Sequence, residues 1–272
     1  MTHFTDKVAV VTGAGSGIGR ALAVELARRG AKLAICDVDT HGLADTEALV
    51  KRAGAEVKVD HLDVSQRELV LAYADDVVAH FGQVNLVFNN AGIAFTGEVE
   101  AMSFKDIDRV MDVDFWGVVN GTKAFLPHLI ESGDGHVVNI SSIFGLFSVP
   151  TQSAYNAAKF AVRGFTESLR QEMVINERPV KVTCVHPGGI KTNIARNAEQ
   201  VEGLDHDKLA GSFDKLARTS PAKAADVILK GVEKNKARVL IGADAWVLDK
   251  FVRLTGAGYQ RGVSAFSKRA GL

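Results

Sequence analysis

The chain has 272 residues, 47% of them hydrophobic, with 32 basic side chains set against 32 acidic ones. That is ample for one large core, and zero formal charge removes the electrostatic reason to expect nucleic acid as a partner. Two cysteines in apolar runs and eight scattered histidines show no metal-ligand spacing; with no signal-peptide pattern and no membrane-spanning apolar run, a soluble, reduced, cytoplasmic protein without a metal is the default expectation.

Residues 7–11 form a short β-rich run that enters Thr12-Gly13-Ala14-Gly15-Ser16-Gly17-Ile18-Gly19, followed by a helical pattern over 20–29 that closes at Gly30. Strand, glycine turn and helix together are the context in which such a motif binds phosphate, because glycine admits close backbone approach and the helix start presents free N–H groups. No Gly-Lys-Ser/Thr follows, so the turn is not an NTPase loop. The second strand, 32–36, ends at Asp37, about twenty residues beyond the turn, where a carboxylate accepts hydrogen bonds from an adenosine ribose. It would repel a 2′-phosphate, and neither Val38 nor Ser16 offers a cation to receive one. The pattern favours NAD over NADP. Asp39 is the better fit as cap of the helix beginning near Thr40.

The alternation then continues. Helix 42–53, strand 56–59, helix 65–81, strand 84–88, a long helix 104–130, strand 136–140, helix 153–176, strand 180–185, helix 222–234, strand 238–241 and helix 245–254 are read from periodicity and turn residues. Strict alternation implies an α/β fold, a single doubly wound parallel sheet of about seven strands with helices on both faces. Ligands of such sheets bind beyond the carboxyl ends of the strands. Every polar or glycine cluster follows a strand: Gly13 to Gly19, Asp37, Asp63, Asn89-Asn90-Ala91-Gly92, Ser141-Ser142 and Pro187-Gly188-Gly189.

Tyr155 and Lys159 stand four apart on the helix after the fifth strand, so phenol and ammonium share one face. A tyrosine titrates near pH ~10, and a neighbouring cation lowers that value, which makes the pair an acid–base device beside a dinucleotide and the Ser142 hydroxyl. Hydride exchange between a nicotinamide and an alcohol or ketone needs that combination, since a proton moves with the hydride.

From residue 7 to about Thr192 these motifs, in order and at matching spacing, resemble the short-chain dehydrogenase/reductase family. The resemblance implies Tyr155 as general base in oxidation and acid in reduction, with Lys159 holding the nicotinamide ribose. It implies Ser142, rather than Ser141, as hydrogen-bond donor to the substrate oxygen. It places Asp63 and Val64 beside the adenine, Asn90 with Ala91 and Gly92 against the cofactor, and Thr192 on the nicotinamide carboxamide, with Pro187, Gly188 and Ile190 lining the same groove. One position departs: the family usually has Asn where this chain has Asp114, whose carboxylate would pair with Lys159 and alter the pH dependence of a proton relay.

Phe144 and Phe147 follow Ser142, and Phe95 follows the Asn-Asn-Ala-Gly cluster. They suggest an apolar substrate pocket, a bulky secondary alcohol or ketone, although packing under a lid or against a partner accounts for some of them equally well. Residues 190–220 read as a substrate lid. In the C-terminal part, 242–272, Trp246, Val247, Phe251 and Leu254 lie on one helical side near Lys250, Arg253, Arg261, Lys268 and Arg269. Docking on the core or on another subunit is favoured there over contact with a membrane surface. Helices carrying Trp116 and Phe165 resemble those of the family's subunit contact, which implies a homodimer or homotetramer. The competing functions are a non-catalytic NAD-binding sensor or scaffold, and an epimerase- or dehydratase-type relative that retains NAD.

Overall fold

The computed structural model describes residues 3–192, 194, 198–201, 211 and 217–270. Most of the expected lid therefore lies outside the described residues. Strand β1 (Val8–Thr12) is buried along its whole length, and its side chains alternate between two cores because a strand has a period of two. Ala9 and Val11 join Leu22, Leu26, Ile228 and Leu229 on one side of the sheet. Val8 and Val10 join Val77, Phe125, Leu129 and Met173 on the other. A sheet apolar on both faces must be covered on both.

The order of the seven-stranded sheet is β3-β2-β1-β4-β6-β7-β9, where β2 is Lys32–Asp37, β3 Val57–His61, β4 Leu86–Asn89, β6 Gly135–Ile140, β7 Val180–Pro187 and β9 Arg238–Ile241. All neighbours pair in parallel. Helices α1 (Gly17–Arg28), α2 (Thr40–Arg52) and α3 (Arg67–Phe81) follow the first three strands. The order reverses between β1 and β4, and that switch point opens a crevice at the carboxyl edge. The fold expected from alternation is the fold observed. Both cysteines are buried, and burial pushes the Cys184 thiol up to about 12.

Three elements differ from the sequence reading. The long helix expected over 104–130 is broken into α4 (Phe104–Met111), a π-helical turn Asp112–Trp116 and α5 (Gly117–Glu131). A widened turn re-aims one residue without ending a helix, and no periodicity reports it. A two-residue strand β5 (Phe95–Thr96) pairs with β8 (Glu199–Gln200) outside the main sheet. After α6 (Ser153–Ile175) and α7 (Pro221–Glu233), the chain continues through α8 (Ala243–Thr255), a turn at Gly256–Gly258, and a further helix, α9 (Tyr259–Ala270). The glycines at 256, 258 and 262 hid α9, since each weakens a helical pattern.

Candidate active site

The glycine turn is built so that only glycine fits. Gly17 has φ of +53°, and a Cβ at Gly19 would lie 2.1 Å from the Gly13 carbonyl oxygen. Ser16 caps α1 through its backbone alone, and no acidic side chain stands in the first turn. Free N–H groups and the positive end of the helix dipole therefore face the crevice, which suits a pyrophosphate. Ile18 turns back onto the core of that face. The Thr12 hydroxyl accepts from the N–H groups of Asn90 and Ala91, both at 3.0 Å, so the clusters after β1 and β4 form one rim. Asn90 also donates its side-chain amide to the carbonyls of Thr12 (3.0 Å) and Gly13 (3.2 Å). That amide nitrogen holds the turn, and the backbone N–H is likewise committed to Thr12.

Asp37 stands at the end of β2 with Oδ2 accepting from the Gly15 N–H at 2.7 Å and Oδ1 from the Asp39 N–H at 2.9 Å. Asp39 caps α2 by accepting from the Gly42 N–H at 3.0 Å, the capping role expected of it from the sequence. Arg20 carried no sequence signal. It donates to the carbonyls of Gly15 and Gly42 and, at 2.9 Å, to the Thr46 hydroxyl, pinning the turn to α2. Asp63 is spent locally, accepting from the N–H and hydroxyl of Ser65. Val64 is buried, and its carbonyl accepts from the Asn120 amide at 3.0 Å. Across the crevice, the Thr192 methyl lies where a Cβ on Gly17 would approach within 3.1 Å. Ile190 is buried beside Thr219, and Pro187 ends β7 in register with Ile241. Gly188 donates its N–H to the carbonyl of Ile241.

On the other wall, Ser142 caps the short turn Ile143–Gly145, its hydroxyl accepting from the Phe144 N–H at 3.1 Å. Ser141 instead donates to the carbonyl of Lys159 at 2.8 Å and faces inward, so Ser142 is the hydroxyl left for the crevice. The buried His186 ring contacts the Ser142 carbonyl at 2.9 Å and fixes that turn; burial lowers its pKa to about 4, so it stays neutral. Tyr155 sits in the first turn of α6, half-buried, with Phe144 edge-on to its ring at 6.3 Å. The Lys159 ammonium lies 5.4 Å from the Tyr155 ring centre, as the i, i+4 spacing requires. Phe147 stacks edge-on to Phe144. Phe95 packs with Met102 and Ala154 in the cluster that includes Tyr155, and lines an open cleft of about 780 Å³ with Ser103, Asp106 and Val201. A polar ladder deeper in, unread in the sequence, joins the same walls: Asn89 donates to Thr122 and Asn139, and Asn139 donates to Thr166.

The π turn points Asp114 at Lys159. Their Oδ2–Nζ separation is 3.0 Å, with 0% and 4% of the side chains exposed, while Oδ1 accepts from the Ile93 N–H at 2.7 Å. The Oδ2 contact is a close charge pair set off the hydrogen-bond axis. Burial opposes the ammonium, but the Asp114 carboxylate and the Tyr155 phenol outweigh it and lift the Lys159 pKa. Burial also lifts Asp114, with Lys159 and the Ile93 N–H restraining the rise. The net direction at Tyr155 corrects the expectation of a lowered phenol pKa. Burial raises it, Lys159 and the Ser142 hydroxyl draw it down, and Asp114 pushes it further up. Lys159 acts in the expected sense and is outweighed, because desolvation disfavours the phenolate and a nearby carboxylate cancels part of the cation's field.

A parallel doubly wound sheet with a glycine turn after its first strand is the architecture of nicotinamide-dinucleotide oxidoreductases. Residues 7–203 match the family model described as short chain dehydrogenase, and the chain belongs to that family, whose members act on CH–OH groups. It is 63% identical over 266 residues to the oxidoreductase named SadH of Mycobacterium tuberculosis, with 97% of this chain and 96% of the relative covered. It is 37% identical over 194 residues to estradiol 17-beta-dehydrogenase 11 of Homo sapiens, covering 71% of this chain and 65% of the relative. The crystal structure of a short-chain dehydrogenase/reductase from Burkholderia phymatum in complex with NAD superposes with a TM-score of 0.85 at 32% identity, covering 94% of this chain and 95% of that one.

Proposed function

We propose that the protein interconverts a bulky, apolar secondary alcohol and its ketone, with NAD as the preferred partner. The observation that carries this is the convergence of the Ser142 hydroxyl, the Tyr155 phenol and the Lys159 ammonium on the crevice shared with the glycine turn. The groove fits a dinucleotide: the first turn of α1 for its pyrophosphate, Asp37 for its adenosine ribose, Lys159 for its nicotinamide ribose and Thr192 for its carboxamide. The bound nicotinamide supplies the hydride acceptor in oxidation and the donor in reduction. In oxidation Tyr155, as its phenolate, takes the hydroxyl proton as the carbinol hydrogen leaves with the C–H electron pair; in reduction the phenol gives its proton to the carbonyl oxygen. Ser142 donates to the substrate oxygen throughout and orients it. Asp37, half-exposed and already turned toward the glycine turn, is the basis for preferring NAD, since its carboxylate would repel a 2′-phosphate and Arg20, on the same turn, is engaged by the carbonyls of Gly15 and Gly42.

The apolar substrate follows from Phe144 and Phe147 on the wall beside Tyr155, and one relative bears a steroid in its name. Trp116 and Phe160 are exposed and Phe165 is half-buried, and these aromatic side chains are the ones offered for assembly into a dimer or tetramer. The test is a panel of alcohols assayed with NAD and with NADP, on the native enzyme and on Tyr155→Phe. We expect turnover of large apolar alcohols with NAD, and a loss of about 10²-fold or more in Tyr155→Phe with NAD affinity retained. Undiminished turnover in the variant would remove the mechanism. Equal rates on small polyols would remove the substrate class, and an NADP preference the role of Asp37.

A further inference from the structure

Helix α8 has two apolar faces. Ala245, Leu248 and Val252 pack inward against Ile143 and Phe147, the turn that follows Ser142. The opposite side carries Trp246, Val247, Phe251 and Leu254, which are 55%, 65%, 44% and 88% exposed. With Lys250 among them these residues occupy positions i, i+1, i+4, i+5 and i+8, an arc of about 140°. A helix that only covers its own core needs one such stripe, so the second has another use.

The start of α8 and the start of α9 are both tied to the rim of the crevice. Asp244, in the first turn of α8, accepts from the Gly189 N–H at 2.8 Å. Tyr259, opening α9, accepts from the Ser148 N–H at 3.0 Å and stacks edge-on to Phe147. Tyr155, Phe144, Phe147 and Tyr259 thus form an unbroken run of edge-to-face rings from the candidate base to α9.

The charge of the unit is one-sided. Residues 242–270 hold five basic and two acidic side chains in a chain that is neutral as a whole. Both acids are engaged internally, Asp244 by Gly189 and Asp249 by Arg238 and Arg253. Lys250, Arg261, Lys268 and Arg269 make no ion pair among the described residues, and Phe266 stands 67% exposed between them on α9. Lys250 decides between occupants. At the centre of a subunit contact an unpaired lysine would be desolvated, and such positions are depleted in lysine. At a bilayer surface its stem covers apolar area while the ammonium reaches the headgroups.

We propose that the outer face of α8, with the basic side chains of α9, docks the protein on an anionic lipid surface, with the mouth of the crevice beside the bilayer. Docking stands on the face and its charge alone. The benefit, capture of an apolar alcohol already dissolved in the lipid, rests on the substrate reading above.

The test is co-sedimentation of the full chain with vesicles of phosphatidylcholine alone, and with vesicles containing about a third phosphatidylglycerol. Binding to the anionic vesicles, falling as salt is raised, is expected. Trp246→Ser with Leu254→Ser should weaken it tenfold or more while turnover of a water-soluble alcohol is unchanged, and Lys250→Glu should weaken it without removing apolar surface. Vesicle binding does not read turnover, so it fails or holds independently of the substrate. The proposal is overturned by failure to bind either vesicle, by binding that the variants leave intact, or by sedimentation velocity showing that the double variant dissociates an oligomer of the native chain. That last result would assign the face to a second copy.

Discussion

Asp114 is the residue at which this chain departs from the family pattern it otherwise follows, and its carboxylate touches both the Lys159 ammonium and the backbone of the rim after β4. A buried ion pair of this kind gives little net stability, but removing one charge exposes the other. Asp114→Asn keeps the Ile93 hydrogen bond and deletes only the charge. Because Asp114 raises the pKa values of both Lys159 and Tyr155, the variant should move the ascending limb of the oxidation pH–rate profile to lower pH, with KM for NAD changed little. An unmoved profile would make the side chain a structural fixture only. In the folded enzyme without substrate, the raised phenol pKa keeps Tyr155 protonated at neutrality, the form that serves ketone reduction.

Between elements, the spacing of the turn Ile143–Gly145 and α6 sets how Ser142 meets Tyr155. A Cβ on Gly145 would lie 2.6 Å from the carbonyl oxygen of Lys159 and 2.4 Å from the Ser141 hydroxyl. Neither can retreat, since the hydroxyl is bonded to that carbonyl. Gly145→Ala should therefore push the turn off α6, at a cost of about 1–3 kcal/mol, and lower kcat more than it alters NAD affinity, because the glycine turn at β1 lies on the other wall. Urea unfolding and a separation of kcat from KM would check both halves; native kcat would show that the turn shifts freely. The π turn acts at the same scale. Lying between α4 and α5, it buries Asp114 against Lys159.

Across the whole molecule, acid sensitivity follows from two buried neutral histidines. Burial, with Lys181, His3, Arg170 and Lys7 nearby, lowers the His136 pKa from 6.5 to about 3, and His186 falls to about 4. The unfolded chain binds these protons first, so the stabilisation is whole above pH 6.5 and is lost as pH falls from there toward 3. Each histidine contributes at most about 1.4 kcal/mol per pH unit within that window. The urea midpoint of the native protein should drop between pH 7 and 5 by about the amount these sites allow, and His136→Gln should flatten the slope. An unchanged slope would shift the cause to other groups.

Much of this was legible in the order of residues because the signals are local. Alternation of short apolar runs with helical periods demands a parallel sheet, and a parallel sheet gathers every strand-end cluster on one edge. The glycine turn, Asp37, the Ser141-Ser142 pair and the Tyr155/Lys159 pair were therefore expected on one edge from spacing, while the choice of Ser142 over Ser141 rested on the family resemblance. Contacts between segments far apart in sequence were not legible, since no periodicity encodes them: Arg20 riveting the turn to α2, Asn90 spent on Thr12 and Gly13, the Asn89–Asn139–Thr166 ladder, and His186 behind Ser142. The sign of the Tyr155 shift was decided in three dimensions too. It depends on how deeply the phenol is desolvated and how near Asp114 comes, and both are properties of packing. Sequence by itself determined the fold and named the candidate side chains of the crevice; the tertiary structure decided the charge balance at its centre and which face of α8 is left bare, because burial and long-range proximity exist only once the chain is folded.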